Sequence, residues 1–412
     1  MPKITSIKGR ILYNSRGSKT IEVDVESDEK ALGRVCAPSG ASVGKYEAVS
    51  FPQGGPEESL QLLDDNSSKF VGLESSDLAS IHDAIHIIDK SENYSKIGGA
   101  TAFAITIAAM ESASIAQDKP LFKILSPDTD LRFPYPLGNI LGGGAHAGPG
   151  TPDIQEILVC ATGSKTIREA IDTNLSVHKE LRKVLQKEDP EFTNGRGDEG
   201  GWAPKSDNQK ALELSAKACE NLGFTLGKEV SLGVDFASST QWNETEKKYI
   251  YDRAGFENTP EEQIDFASDI IEKYKLIYAE DAVHEESFDG MAELTAKFPN
   301  TLVTGDDLTV TNKMILSKAI EKKSCNAAIL KVNQAGSLFD ALEFAKEANN
   351  NGIKLITSHR SGESTDSHIS HIGIATKSKM LKVGVVGGER VAKLNELIRL
   401  SGYDLIRGMA EI

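Results

Sequence analysis

Five short apolar runs in the second half of the chain each give way to a polar residue. Asp235 follows Leu232-Gly233-Val234, Glu280 follows Leu276-Ile277-Tyr278, Asp306 follows Leu302-Val303, Lys331 follows Ala328-Ile329-Leu330 and His359 follows Leu355-Ile356. One such aspartate is ordinarily a solvated strand end or a helix cap. Five of them, separated by 45, 26, 25 and 28 residues, form a pattern. The later spacings approach the roughly 30 residues per strand–helix unit of an eight-unit barrel of about 250 residues. The longer first gap contains the polar stretch 241–253. If these runs close into a barrel, all five side chains emerge on its C-terminal rim, where barrel enzymes keep their chemistry. Three carboxylates converging there raise one another's pKa unless a cation neutralises them. A hard divalent ion answers that need, and magnesium suits a few carboxylates completed by water and substrate. A lysine beside such an ion is pushed toward its neutral amine and can serve as a base near neutral pH.

Three glycine-rich segments also bear on chemistry. Gly40-Ala41-Ser42-Val43-Gly44-Lys45-Tyr46 resembles a phosphate-binding P-loop. It is one residue short between its glycines and has Tyr46 where a serine or threonine holds magnesium, which excludes the nucleotide reading. Gly142-Gly143-Gly144-Ala145-His146-Ala147-Gly148 lacks a dinucleotide fingerprint and reads as pliant backbone carrying one histidine. In Gly197-Asp198-Glu199-Gly200-Gly201 a carboxylate set among glycines has little packing purpose, which makes it a candidate acid.

These residues need a scaffold, and 412 residues suffice for two domains, one of them large. Thr20 to Glu26 alternates like a half-buried strand, whereas Ile81 to Asp89 and Ala100 to Gln117 read as helices, the latter apolar nearly all round. Ser126 to Pro136 holds three prolines, the composition of a boundary, so the expected division is an α+β domain over 1–128 and a second domain over 129–412. Beyond it, Thr166-Ile167-Arg168-Glu169 has capping-box spacing and Thr259-Pro260-Glu261-Glu262 adds a proline at the first helical position. Helices alternating with short aliphatic runs imply an α/β domain with a parallel sheet. The formal charge of −15 disfavours nucleic acid. Cys36, Cys160, Cys219 and Cys325 are widely spaced and read as reduced, buried thiols. The first residues lack an apolar signal core and Ala102 to Met110 is too short to span a bilayer, so no membrane role and a cytoplasmic location are expected.

Six segments, in order, resemble the enolase family: Pro38-Ser39-Gly40-Ala41-Ser42; His146-Ala147-Gly148 with Gln155-Glu156; Gly197 to Gly201; Gly305-Asp306-Asp307-Leu308-Thr309-Val310-Thr311-Asn312; Leu330-Lys331-Val332-Asn333-Gln334; and Ser358-His359-Arg360-Ser361-Gly362-Glu363. The resemblance runs from Ile11 to Arg399. It implies a modified (β/α)8-type TIM barrel behind a smaller N-terminal α+β domain, and the reversible, magnesium-dependent dehydration of 2-phosphoglycerate to phosphoenolpyruvate in glycolysis and gluconeogenesis. It further implies two magnesium ions per site, the tighter held by Asp235, Glu280 and Asp306, and the second, arriving with substrate, helped by Ser42. Lys331 is then the base at C2 and Glu199, supported by Glu156, the acid at the C3 hydroxyl. Arg360 and Ser361 grip the phosphate, Lys382 the carboxylate, and His146, Gln155 and His359 line the pocket. Arg16, Glu22 and Arg399 match the family's subunit interface, which implies a homo-oligomer, a dimer or a multiple of dimers. A racemase or acid-sugar dehydratase of the same superfamily would share barrel, metal and base, but Arg360-Ser361 and the Ser42 loop favour a phosphate ester. A non-catalytic relative would have lost a ligand or the base, and none is lost.

Overall fold

The computed structural model describes residues 1–40 and 44–412. The chain begins with an antiparallel meander, β1 (Ile4–Tyr13), β2 (Lys19–Ser27) and β3 (Ala31–Cys36). Its alternation is the one expected from Thr20 to Glu26, with Ile21, Val23 and Val25 buried. Helices α1 (Gly55–Asn66), α2 (Leu78–Ile88), α3 (Gly99–Ala116) and α4 (Leu121–Leu125) follow. Helix α3 packs on β2 and β3 so tightly that a Cβ at Gly33 would lie 1.9 Å from the Ala108 carbonyl oxygen. It is longer than the apolar stretch singled out in the sequence and has the length and composition of a membrane span, but its faces are covered by protein.

After β4 (Leu131–Phe133) come β5 (Tyr135–Gly142), β6 (Glu156–Cys160) and β7 (Ser231–Asp235), then a small sheet of β8 (Trp242–Asn243), β9 (Lys248–Tyr251) and β10 (Phe256–Asn258) formed by the polar insertion. Strands β11 (Tyr278–Glu280), β12 (Leu302–Gly305), β13 (Ala327–Leu330), β14 (Lys354–Ser358) and β15 (Met380–Lys382) complete the barrel, and β16 (Ile406–Met409) pairs with β4. The closed barrel has the order β11-β12-β13-β14-β15-β5-β6-β7.

The sequence predicts a parallel sheet, and the structure corrects this at one strand: β6 runs antiparallel to both β5 and β7. The connection 143–155 holds one 3-10 turn and no crossover helix, so the chain folds straight back. Between β6 and β7 two helices, Ile167–Glu188 and Asn208–Asn221, restore the direction. Both predicted caps form. Thr259 and Glu262 make a full capping box, whereas Thr166 accepts from the Glu169 amide while the Glu169 carboxylate reaches back to the amide of Lys165. All four cysteines are free and buried.

The two halves share a core, in which Phe103 and Ile107 of α3 join Leu338 and Phe344 of helix Leu338–Asn350. Polar ties join them too: Ser39 and Gly362 exchange backbone hydrogen bonds of 2.8 and 2.9 Å, and the Cys36 amide donates to Asp366 at 2.7 Å.

Candidate functional site

Asp235 and Glu280 are the last residues of β7 and β11 and are register partners. Asp306, Lys331 and His359 each follow directly on β12, β13 and β14, and Lys382 ends β15. The reversed strand adds to the same rim: because β6 is antiparallel, its first residue, Glu156, pairs with Asp235. His146 and Gln155 come from the loop between β5 and β6, and Glu199 from the segment before helix Asn208–Asn221. These residues line one cleft together with Arg360 and Ser361, and Glu280 borders it through Lys382. Ser42 lies outside the described residues.

The buried Lys382 ammonium donates to Asp235 Oδ2 at 2.9 Å and to Glu280 Oε2, and lies 3.4 Å from Glu156 Oε2. Burial works against its charge, but Asp235, Glu156 and Glu280 override it and hold the pKa well above the ordinary lysine range. Lys331 Nζ is paired with Asp306 Oδ2. Burial again opposes the charged amine, and Asp306 outweighs burial to raise the pKa. Gln155 donates to Asp235 at 3.2 Å and Gln334 to Asp306 at 3.0 Å.

Six carboxylates of the lining, Glu156, Glu199, Asp235, Asp281, Asp306 and Asp307, face the three fixed cations Lys331, Arg360 and Lys382. Burial and its acidic neighbours push Glu280 well above the usual carboxylate range, and push Asp307 up to about 7. Glu280 Oε1 is buried without a hydrogen-bond partner. A hard, oxygen-seeking dication fits this donor set, relieving the repulsion and engaging the orphaned oxygen. Glu280, Asp281 and Asp306 offer oxygens within 4.8 Å of one another. Asp281, however, spends both oxygens on the backbone amides of Asp306 and Asp307, at 3.1 and 2.8 Å, so it shapes the turn after β12. Asp235, linked to Glu280 through Lys382, has an oxygen on the same side of the rim and could serve as a third ligand in its place.

Across the cleft stands a second cluster. His359 Nε2 is 2.9 Å from Glu199 Oε2, and His146 Nδ1 is 3.0 Å from Glu156 Oε1 and 3.8 Å from Glu199 Oε1. Burial and the neighbouring Glu199 push Glu156 up to about 7. Glu199 is equally buried, yet His359 and His146 hold it well below the ordinary range. The two carboxyls therefore carry one proton between them near neutral pH. The glycines around Glu199 are required: Gly200 has a φ of 84°, and a Cβ there would lie 2.5 Å from the Val386 carbonyl oxygen.

Sequence reasoning missed Arg390, Glu47 and the turn-shaping Asp281. Arg390, fully buried in helix Gly388–Leu400, donates to His359 Nδ1 at 2.8 Å, to the carbonyls of Ser361 and Asp198 at 2.7 and 3.1 Å, and to that of Arg360. A guanidinium cannot accept, so Nδ1 is the lone-pair nitrogen and the ring proton sits on Nε2, facing Glu199. Arg360 NH1 donates to Glu47 Oε2 at 3.2 Å and Asn333 Oδ1 at 3.0 Å. The only local signal in the sequence was the glycine pair Gly387-Gly388 two residues ahead of Arg390, which marks a helix start but not the arginine's contacts.

Comparison with known proteins gives the same picture at the scale of the whole chain. Residues 4–125 match the family model for the enolase N-terminal domain, and residues 130–404 that for the enolase C-terminal TIM barrel domain. An enolase of Methanosphaera stadtmanae is 44% identical over 411 residues, 99% of either chain. Enolases of Methanothermobacter thermautotrophicus and Pyrobaculum aerophilum are 43% and 37% identical, each over 96% of this chain and over 96% and 95% of their own. Likeness of this extent, on a barrel whose rim gathers these carboxylates and lysines, means that the chain belongs to the enolase family.

Proposed function

We propose that in the dehydration of 2-phosphoglycerate to phosphoenolpyruvate, the hydro-lyase reaction of this enolase, Lys331 and Glu199 divide the two proton transfers. The observation that carries this reading is the separation of the groups: Lys331 stands on Asp306, Glu199 stands among His359, His146 and Glu156, and Lys382 lies between. Lys331 removes the C2 proton as a neutral amine. The negative charge that accumulates on the substrate carboxylate faces the buried ammonium of Lys382. Glu199 then protonates the departing C3 hydroxyl, drawing on the proton that the Glu156–Glu199 pair holds near neutral pH. Arg360 and Ser361 take the phosphate, which competes with Glu47 for the guanidinium. His146, Gln155 and His359 close the pocket around it. Asp235, Glu280 and Asp306 would hold magnesium, with Ser42 helping a second ion, and the bound metal would supply positive charge opposite the substrate carboxylate.

The same proposal includes a cytoplasmic location, a division of the chain into 1–128 and 129–412, and a homo-oligomer, a dimer or a multiple of dimers, with Arg16, Glu22 and Arg399 on the contact face. Light scattering tests the oligomer, and a monomer at micromolar concentration refutes it.

Isotope exchange tests the division of labour. Lys331→Ala should stop exchange of the substrate C2 proton with deuterated solvent and lower turnover at least ~10²–10⁴-fold. Glu199→Gln keeps the base, so exchange should persist while phosphoenolpyruvate formation collapses. Parallel loss of both in Glu199→Gln, with magnesium binding intact, would reverse the assignment.

A further inference from the structure

The polar stretch 241–253 lengthens the first spacing along the rim without adding a rim residue. Its sheet, β8 to β10, is rooted in the core by Tyr249 and Tyr251, both buried, and by a 3.0 Å hydrogen bond from the Tyr251 hydroxyl to Gln263. Arg253, at the end of the stretch, stands against the connection 143–155, which carries His146 and Gln155 and leads into Glu156.

That connection has no crossover helix to fix its shape, and the carbonyls on its outer side need donors. At its neck the two legs meet: the Gly143 amide donates to the Gln155 carbonyl at 2.9 Å and the Gly144 amide to the Pro152 carbonyl at 2.8 Å. A Cβ at Gly143 would lie 2.3 Å from the Ile154 carbonyl oxygen, so only glycine lets the legs come this close. Arg253 bridges them from outside. Its NH1 donates to the Thr151 carbonyl at 3.0 Å, to Thr151 Oγ1 at 2.8 Å and to the Pro152 carbonyl at 2.9 Å, and its NH2 to the Gly144 carbonyl at 3.3 Å. The loop grips back: the buried Asp153 carboxylate accepts the amides of Arg253 and Ala254 at 3.2 and 3.0 Å. One guanidinium therefore holds the leg that leads to His146 and the leg that leads to Gln155 and Glu156.

Arg253 is exposed and its acceptors are neutral, so the contact does more for the place of the loop than for global stability. Place matters here because the two legs end in the acid cluster, where His146 Nδ1 lies 3.0 Å from Glu156 Oε1 and 3.8 Å from Glu199 Oε1. Lys331 and Asp306 stand across the cleft, at the ends of β13 and β12.

We propose that Arg253 is a positioning residue for the second proton transfer, holding both legs of the 143–155 loop so that His146 and Glu156 stay aligned with Glu199. The proposal rests on the reading of Glu199 as the acid. Loosening the loop should therefore impair loss of the C3 hydroxyl and spare proton removal at C2.

The test measures, on magnesium-saturated protein, exchange of the substrate C2 proton with deuterated solvent alongside phosphoenolpyruvate formation. Arg253→Met should lower kcat at least ~10-fold, toward the ~10²-fold that a small misplacement of reacting groups costs, with exchange within about threefold and KM within about twofold of wild type. Arg253→Lys keeps the charge but not the planar fork that spans the two legs, and should keep most of the defect. Should Arg253→Met fail to fold, Thr151→Val, which removes the acceptor at 2.8 Å alone, should raise the ratio of exchange to turnover in the same direction. Glu199→Gln is measured beside them. If it separates exchange from turnover while the Arg253 variants lose both in parallel, or lose neither, the proposal is overturned and the acid assignment stands. If Glu199→Gln itself loses both together, the acid assignment falls and the proposal falls with it.

Discussion

Two residues far apart in sequence set the chemistry of the cleft at the level of single atoms. Asp306 is charged because Lys331, Lys382 and Arg360 surround it: although burial opposes ionisation, those cations bring its pKa down to about 2. Removing it leaves two carboxylates and an unpaired buried lysine where three carboxylates converged. Asp306→Ala should therefore abolish magnesium binding at the tighter site and with it activity, and calorimetry on the folded variant checks this; unchanged affinity would exclude Asp306 as a ligand. Arg390 acts one step further out. Through His359 Nδ1 and the carbonyls of Asp198, Arg360 and Ser361 it fixes both the tautomer that faces Glu199 and the loop that carries Arg360 and Ser361, the pair proposed to bind phosphate. Lysine retains the charge but not the fork. Arg390→Lys should lower kcat about 10²-fold, the cost of a small misplacement of reacting groups, while magnesium affinity stays within twofold. Nitrogen NMR of the imidazoles should show His359 leaving the pure Nε2–H form. A variant with wild-type kcat and an unaltered His359 signal would reduce Arg390 to a packing role.

The elements that carry these residues differ in how plainly the sequence announces them. Strands β7 and β11 to β14 are aliphatic runs that end on the rim, and their spacing alone gives the repeated strand–helix units and five polar residues of the rim. Strand β5 is disguised by Pro134 and Pro136, which read as a boundary although Pro136 lies within it. Strand β6 reveals itself only through its pairing: its apolar run Ile157 to Val159 resembles the others, but nothing local tells that it runs backward and brings its first residue to the rim. The roles of Arg390 and Glu47 depend on contacts across 31 and 313 residues, respectively, which no periodicity encodes. The segment from Pro38 to Lys45 is described only at its flanks, residues 41–43 lying outside the described residues. On one side Ser39 is paired with Gly362, and on the other Glu47 is paired with Arg360, so both flanks rest on the loop that the phosphate is proposed to occupy. Substrate and magnesium together should slow proteolytic cleavage between Pro38 and Lys45 several-fold, since closure over a reacting site excludes solvent. Equal cleavage rates with and without them would refute coupling of this segment to the site.

For the molecule as a whole, the response to acid comes from buried groups of opposite tendency. Burial raises Glu111 to about 8, and it favours the protonated form of that carboxyl in the folded chain; this contribution to stability is present below the unfolded pKa and is lost as pH rises through 8. Burial also lowers His178 to about 4 and His368 to about 3. These imidazoles are neutral in the folded chain but take up a proton near pH 6.5 once unfolded. Between pH 6.5 and about 4 the unfolded state thus binds more protons at His178, and stability falls as pH falls. The carboxyls push the other way over part of the same range, so the pH profile of the wild type alone does not isolate either effect. A difference between two proteins does, because shared groups cancel. His178 stacks on Trp202 with ring centroids 4.6 Å apart, and its Nε2 meets the Gly200 carbonyl at 3.0 Å. In His178→Gln an amide can keep the latter contact without titrating. The stability of the wild type relative to His178→Gln should be constant above pH 7 and then decline by up to ~1.4 kcal/mol per pH unit. The total decline by pH 4 should be on the order of 3 kcal/mol, read from urea unfolding at each pH. A difference that stays flat from pH 7 to 4 would mean that His178 takes up its proton as readily in the folded protein as in the unfolded one, and that burial does not lower its pKa.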